Sequence, residues 1–466
     1  MIRSRSSSGS CSARLRGTIS QDLDVAVIGA GLSGLSAARR LSRAGASVVV
    51  LEARDRVGGK TFTDDVDGCP VDFGAHWVGP KQRRLLALAD EFDVAVEKQY
   101  LDGEHLLAVG GERRTYSGNI PLLSIRGTLE MGGALARAEL RRLLVDRDAP
   151  WRSRGARRLD SYTLAHQLRG LRSESARGLF TVITRTMFGA EPSELSYLYF
   201  LWYAQCAGGV MTLTDFEGGA QDAHFAGGSQ QFCERIAAEL GEEVVTLGVP
   251  ATAVRHGADG VSIKVGRRRI RARRAIVAVS PALAARIEYE PGLPARESLG
   301  QRMPMGAYMK GVAVYDRAWW RDHGLSGVSL TDRGPVQMTV DVGPTGGEPG
   351  VLAGFVTGAP ARELAGRPGD ERRAIVLKAM AAMTAPEAER PRAFRDFNWL
   401  EEPWSRGGPV GLMAPGTLTG VGRELRRPAG PIHWAGTDTA TEWNGYMEGA
   451  IQAGERAADE ALAELR

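Results

Sequence analysis

Asp24-Val25-Ala26-Val27-Ile28-Gly29-Ala30-Gly31-Leu32-Ser33-Gly34 decides the fold. Its first five residues read as a buried strand that runs straight into a G-x-G-x-x-G turn. Residues 32–44 then read as a helix, and Ser47-Val48-Val49-Val50-Leu51 as a second buried strand rich in β-branched side chains. The right-handed crossover of such a βαβ unit makes its two strands parallel. The three glycines act differently. Gly29 permits the tight turn, Gly31 lets the backbone approach a pyrophosphate, and Gly34 lets the helix lie close on the sheet. The helix N-terminus offers free N–H groups and a positive dipole end to phosphate. Glu52 ends the second strand, where a carboxylate accepts hydrogen bonds from a ribose diol and repels a 2′-phosphate. The motif points to a dinucleotide and does not separate NAD from FAD.

Outward from this unit, residues 81–203 read as helical and charged, with helices expected over 85–92 and 129–144; 146–159 reads as a basic loop. Strands are expected between 244 and 279, and a mixed or antiparallel sheet over 304–360. A helix is expected over 371–383, and a strand followed by a helix over 432–465. Nucleotide-side features fall at both ends and in the middle. The fold class expected is therefore α/β: a Rossmann-like domain of discontinuous segments plus an α+β domain with a mixed sheet. The segments expected are 21–81, 226–299 and 400–466 for the nucleotide domain, 82–225 and 300–399 for the substrate domain, and 1–20 as a disordered Arg/Ser-rich tail.

The chain has 466 residues, 43% of them hydrophobic, and 59 basic against 55 acidic residues give a net charge of +4. That length suits two domains, and so slight an excess does not argue for nucleic acid. The arginine clusters at 267–269 and 271–274 carry no interleaved aromatics and read as solvated strand edges. Cys11, Cys69, Cys206 and Cys233 form no C-x-x-C and fit neither a zinc site nor a disulfide framework, so free thiols in a reducing compartment, and no metal, are expected. No apolar run approaches the ~18 residues of a membrane span, so no membrane partner is expected and the cytoplasm is the expected location. A homodimer is compatible with the sequence.

Glu52-Ala53-Arg54-Asp55-Arg56-Val57-Gly58-Gly59-Lys60 resembles the E-A-R-x-R-x-G-G-[RK] run of the flavin-containing amine oxidases. Two glycines beside cations make a second backbone approach to an FAD diphosphate, with Gly59 in contact and Arg54 and Lys60 supplying charge. The segment 433–450, His433-Trp434-Ala435-Gly436-Thr437-Asp438 through Trp443-Asn444-Gly445-Tyr446-Met447 to Ala450, is similar to the monoamine oxidase signature. The resemblance implies that Gly436, Thr437, Asp438, Trp443, Tyr446, Met447 and Ala450 meet the ribityl chain and the ring. Val71-Asp72-Phe73-Gly74-Ala75-His76-Trp77 resembles the stretch along the isoalloxazine, which implies cofactor contacts from Gly74, Ala75, His76 and Trp77; His76 is expected as a backbone-held contact and not as a base. Residues 225–230 resemble the lead into the second nucleotide-side helix. Val249-Pro250-Ala251 resembles the strand whose backbone meets adenine, at Ala251, and Trp399 is assigned to the flavin with these.

Met303-Pro304-Met305-Gly306-Ala307-Tyr308-Met309-Lys310 resembles the family strand that ends in a buried lysine, which meets flavin N5 through a water. Lysine is almost never fully buried without a partner, so Lys310 reads as functional. Two departures stand out. Where the eukaryotic monoamine oxidases attach FAD through a cysteine, Glu401-Glu402-Pro403-Trp404-Ser405-Arg406-Gly407-Gly408 places Gly408, so FAD is expected to be non-covalent. The neighbouring position, a tyrosine wall of the aromatic cage in those enzymes, holds Pro409, which leaves Tyr446 as the main ring and Trp404 as a candidate to rebuild the other. With Lys310, these are the expected catalytic residues. The resemblance implies an oxidase that moves a hydride from an amine α-carbon to flavin N5, with dioxygen as acceptor, giving imine or aldehyde and hydrogen peroxide. Alternatives on the same fold are an L-amino-acid oxidase, which needs an arginine aimed at the substrate carboxylate, and a carotenoid- or protoporphyrinogen-type desaturase, against which Lys310 and the 443–446 run argue. A non-catalytic FAD-binding module is the alternative of another class. Which amine is oxidised is not legible.

Overall fold

The computed structural model describes residues 23–119, 121 and 123–466; the expected tail at 1–20 lies outside the described residues. The strand Leu23–Ile28 lies between Val48–Leu51 and Arg268–Val277, parallel to both, with Val25 opposite Val48 and Arg274. Val245–Thr246 extends the parallel edge beside Val48–Leu51, and Ile432–Trp434 adds a parallel partner to the far end of Arg268–Val277. Gly260–Val265 and Ala251–Gly257 continue the same sheet antiparallel, and Glu288–Glu290 closes it, giving eight strands. Residues more than 400 positions apart thus share one sheet, because each short apolar strand needs neighbours on both sides to satisfy its backbone. Helix Leu32–Arg43 packs on this sheet and on the C-terminal helix Met447–Leu465. A Cβ on Gly454 would stand 2.1 Å from the Ser33 carbonyl oxygen, so the helices cross with backbone nearly touching backbone.

The second sheet has seven strands in the order Ala393–Asn398, Tyr308–Tyr315, Gly350–Thr357, Met338–Asp341, Leu325–Thr331, Glu104–Val109, Glu112–Tyr116. All pairs are antiparallel except Leu325–Thr331 with Glu104–Val109, so the sheet is mixed as expected for 304–360. Two of its strands lie inside the stretch expected to be helical. They form a hairpin turned by Gly110 and Gly111, both at positive φ, a two-glycine signal for which only glycine is unstrained. A third strand in that stretch, Val96–Lys98, joins Trp77–Val78 and Ala223–Phe225 in a small sheet between the two large ones. The expectation of helix throughout 81–203 is corrected at 96–116. Elsewhere in it, helices run over Arg83–Glu91, Ile125–Arg142, Glu174–Phe188 and Tyr197–Ala207. The last of these reads Tyr-Leu-Tyr-Phe-Leu-Trp-Tyr-Ala-Gln-Cys-Ala and is buried on all sides, as a helix apolar all round must be. Among the described residues no helix is long and apolar enough to cross a membrane.

Candidate active site

A cavity of about 370 Å³ runs from the tip of the first βαβ unit to the face of the second sheet. At one end Gly31 caps helix Leu32–Arg43 with no side-chain cap and no acidic residue in the first turn, so the helix N–H groups and dipole are unopposed. Gly58 donates to the Ala30 carbonyl at 2.9 Å, which clips the 52–60 loop onto the glycine turn. A Cβ on Gly59 would stand 3.2 Å from the Gly31 Cα, so the two glycines face each other with backbone exposed. A Cβ on Gly34 would stand 1.9 Å from the Gly29 carbonyl oxygen: Gly34 belongs to the packing of helix on strand and does not line the cavity.

Glu52, almost fully buried, holds the turn from the second strand. Its carboxylate accepts from the Ala30 N–H at 2.7 Å and from the Arg54 N–H at 2.9 Å. The Arg54 guanidinium reaches Ser405 at 2.8 Å and Glu402 at 3.4 Å, and its buried Nε has no partner. Lys60 donates to the Pro409 carbonyl at 2.6 Å; burial holds its ammonium below the usual lysine range, opposed by the Asp438 charge. Asp438, also buried, accepts from the Gly411 N–H at 2.8 Å, and Thr437 donates to the Tyr446 carbonyl. Facing backbone glycines, an uncapped helix end, a strand-end carboxylate and an unpartnered guanidinium nitrogen are what a dinucleotide with diphosphate and ribose requires. The residues present fit FAD.

The middle of the cavity is lined by Gly74, Ala75, His76 and Trp77. Gly74 is demanded by contact, since a Cβ there would meet the Lys60 carbonyl oxygen at 1.9 Å. His76 Nδ1 lies 2.9 Å from Asp72 Oδ2, and its ring stacks on His224 with centroids 5.0 Å apart. Burial lowers the imidazole pKa against the pull of Asp72, so the ring is neutral and gives Nδ1–H to the carboxylate. Burial alone would raise Asp72, but hydrogen bonds from His76, Thr63 and Ser229 hold it below the usual carboxylate range.

Lys310 lies behind this wall and does not line the cavity. It is 1% exposed, donates to the Asp72 carbonyl at 2.6 Å, and sits 5.0 Å from the Phe355 ring centroid. Burial pushes its pKa down to about 8, opposed by the Asp72 charge. Tyr446 lines the cavity; Tyr203 and Trp443 support its ring at centroid distances of 6.2 and 5.4 Å. Trp399, whose indole donates to the Phe73 carbonyl at 3.1 Å, also lines the cavity, as do Gly408, Pro409, Gly436, Met447, Ala450 and Trp404. Trp404 remains 41% exposed, out on its loop. Trp443 stands behind Tyr446 and Ala251 opens its strand; neither lines the cavity.

Sequence reasoning did not find the far wall. Leu179, Ile183 and Met187 come from helix Glu174–Phe188, Leu213 from the short helix Val210–Thr214, and Leu330, Met338 and Phe355 from adjacent strands of the second sheet. Each reads in the sequence as ordinary core. Of the three tyrosines on helix Tyr197–Ala207 only Tyr203 lines the cavity, and nothing in the sequence separates it from Tyr197 and Tyr199. Among the described residues no group of His, Cys, Asp and Glu could hold a metal ion.

Residues 32–462 match the family described as flavin containing amine oxidoreductase. The putative flavin-containing monoamine oxidase AofH of Mycobacterium tuberculosis is 40% identical over 445 residues, which cover 95% of this chain and 97% of that one. The putrescine oxidase of Kocuria rosea is 36% identical over 456 residues, covering 94% and 95%. The structure of cyclohexylamine oxidase from Brevibacterium oxydans superposes with a TM-score of 0.91 at 35% identity, covering 96% of this chain and 100% of that one.

Proposed function

The chain belongs to the flavin-containing amine oxidoreductases, FAD enzymes that act on amines, and from that premise we propose which amines it takes and which of its residues serve them. The substrate is a monoamine with a bulky apolar body, primary or secondary, oxidised at the α-carbon with dioxygen as the final acceptor. One observation carries this reading. The only carboxylates among the described residues that line the cavity are Glu52 and Asp438, and both are held by backbone N–H groups at the glycine-turn end. The opposite wall is mostly apolar, Leu179, Ile183, Met187, Leu213, Leu330, Met338 and Phe355, and the polar side chains among the lining there, Asn119, Thr186, Thr214 and Gln221, carry no charge. A second ammonium placed there would be buried without a carboxylate to pair with among the described lining residues, which is expensive.

We assign the eight-stranded sheet and its loops to the cofactor and the seven-stranded sheet with the helices between 125 and 214 to the substrate. Gly31, Gly59, Glu52, Arg54 and Asp438 would hold the FAD, which supplies a two-electron acceptor for the hydride of the amine α-carbon. The apolar wall favours the neutral amine over its ammonium, and only the neutral form has the nitrogen lone pair that hydride loss needs. Tyr446 presents a ring face to the nitrogen, with Pro409 leaving space on the other side. Lys310 holds a cation behind the Trp77 and Phe355 rings, where it favours negative charge developing nearby. An amino-acid substrate is disfavoured because the only arginine among the described lining residues is Arg54, already engaged with Glu52 and Glu402.

The test is hydrogen peroxide production from an aralkyl or cycloalkyl monoamine against putrescine. The monoamine is expected to have a kcat/KM at least about tenfold higher, roughly 1.4 kcal/mol of barrier. Putrescine as the equal or better substrate would overturn the reading.

A further inference from the structure

The hairpin Glu104–Val109 and Glu112–Tyr116 sets a polar pair against the cavity. His105 stands opposite Tyr116 across the hairpin, edge to face, with ring centroids 5.0 Å apart. Both residues line the cavity, although His105 is only 4% exposed.

The tautomer of His105 follows from its partner. Ser326 donates its hydroxyl to the Glu104 carbonyl at 3.3 Å, so the same oxygen accepts from His105 Nδ1 at 2.5 Å. Burial lowers the imidazole pKa, and the ring is neutral. Its one proton is therefore on Nδ1, which leaves Nε2 as a bare acceptor without a partner among the described residues. The Tyr116 hydroxyl has no partner among them either, and burial raises its pKa, which keeps the phenol a donor. Other neutral polar side chains of the lining are spent within the protein. Thr186 and Thr214 donate to carbonyls one turn back in their helices, and Asn119 exchanges two hydrogen bonds with the Glu217 backbone.

The pair stands far from the reacting end. One row of side chains crosses the second sheet in register: Lys310 opposite Phe355, Phe355 opposite Met338, Met338 opposite Leu330, and Leu330 opposite Leu107, two residues along the strand from His105. Four strand spacings of ~4.8 Å make that row about 19 Å long. Helix Glu174–Phe188 runs over it from the hairpin to Tyr446. A Cβ on Gly110, in the hairpin turn, would stand 2.4 Å from the Ser175 nitrogen, and Phe188 packs on Tyr203, the support of Tyr446, at 4.6 Å. Between these ends Leu179, Ile183 and Met187 form an apolar stripe about 12 Å long at ~1.5 Å per residue.

We propose that the substrate is a long-bodied monoamine ending in a hydroxyl, which donates to His105 Nε2 and accepts from the Tyr116 hydroxyl while the apolar stripe covers its chain. The proposal rests on the reading of this cavity as a monoamine site. A bare acceptor beside a bare donor complements a hydroxyl, which offers one of each. A methyl end would leave both buried groups unpaired, and a site built for a hydroxyl rejects the analogue that lacks it.

The test uses the FAD-loaded enzyme and straight-chain 1-amino-ω-alcohols from hexyl to dodecyl, each against the alkylamine of the same length, with hydrogen peroxide as the readout. The ratio of kcat/KM, hydroxyl-ended over methyl-ended, is expected to peak at one chain length and to reach at least about tenfold there. Tyr116→Phe removes only the donor and His105→Leu the acceptor. Each is expected to lower the peak ratio about 2- to 10-fold, the range of one hydrogen bond, with FAD content by absorbance as the check on folding. His105→Gln, whose amide oxygen replaces the acceptor, is expected to recover part of the ratio. A ratio that does not change with chain length, or a peak that neither Tyr116→Phe nor His105→Leu lowers, would overturn the proposal. Putrescine outrunning every monoamine would overturn the monoamine reading without moving this ratio, so the two failures are read separately.

Discussion

The Lys310 ammonium donates to the backbone carbonyl of Asp72 at 2.6 Å, while the Asp72 carboxylate turns away to His76. The lysine is thus buried beside a dipole and not paired with a charge, and its pKa sits near 8 against an ordinary value of 10.5. Because the folded-state pKa is the lower one, charged Lys310 destabilises the fold below about pH 8, and that penalty fades as pH rises from 8 towards 10.5. The Tm difference between Lys310→Met and wild type is therefore expected to shift in favour of wild type between pH 7 and pH 9.5. Parallel Tm-against-pH curves for the two proteins would contradict it.

Lys310→Met should keep its FAD and lose at least about tenfold in turnover, roughly 1.4 kcal/mol in barrier, because it removes a preorganised cation behind the cavity wall. Turnover by peroxide assay and FAD content by absorbance separate the two effects. A variant with wild-type turnover would remove Lys310 from the reaction.

Gly31 and Gly34 belong to one motif and should fail differently. A Cβ on Gly31 meets nothing closer than 3.8 Å, whereas one on Gly34 meets the Gly29 carbonyl at 1.9 Å. Gly31→Ala should leave the apoprotein's Tm within a few degrees and weaken FAD binding. Gly34→Ala should lower the apoprotein's Tm itself. Calorimetry of apoproteins together with FAD titration checks both, and a reversed order would show the close approaches to be misassigned.

Tyr446→Ala should reduce kcat/KM about 2- to 30-fold, the range of one ring–nitrogen contact of ~0.5–2 kcal/mol, without loss of FAD. Trp404→Ala should do less, since that ring is 41% exposed. If Trp404→Ala proves the more damaging, the loop closes over the amine and the open side at Pro409 is the wrong picture.

FAD should come off with acid. Cys69, Cys206 and Cys233 are buried free thiols, none lines the cavity, and Gly408 and Pro409 occupy the lining where an attachment residue would stand. Denaturation with trichloroacetic acid should leave the yellow colour in the supernatant; a yellow pellet would show a covalent bond.

The glycine turn, Glu52 and the 433–450 segment were legible because each is local: a few adjacent residues carry both the backbone geometry and the chemistry. The strands at 104–109 and 112–116 were missed although Gly110-Gly111 announces a hairpin. The charged residues Glu112, Arg113 and Arg114 break the apolar alternation there, because that edge strand is largely exposed. Trp443 was placed against the cofactor with its motif neighbours. The structure packs its ring against Tyr446, with centroids 5.4 Å apart, and it is not among the residues that line the cavity.

What the sequence by itself determined is the dinucleotide-binding βαβ unit, which follows from spacing and residue type within a short window, and, through the resemblance of 52–60, 303–310 and 433–450, the family and the buried character of Lys310. What only the tertiary structure decided is the substrate wall and the environment of the lysine. Leu179, Leu213, Leu330 and Phe355 come together from segments up to 176 positions apart. An apolar residue looks the same in sequence whether its neighbour is core or cavity. The Asp72 carbonyl that meets Lys310 is a backbone atom 238 positions away, which no side-chain pattern encodes.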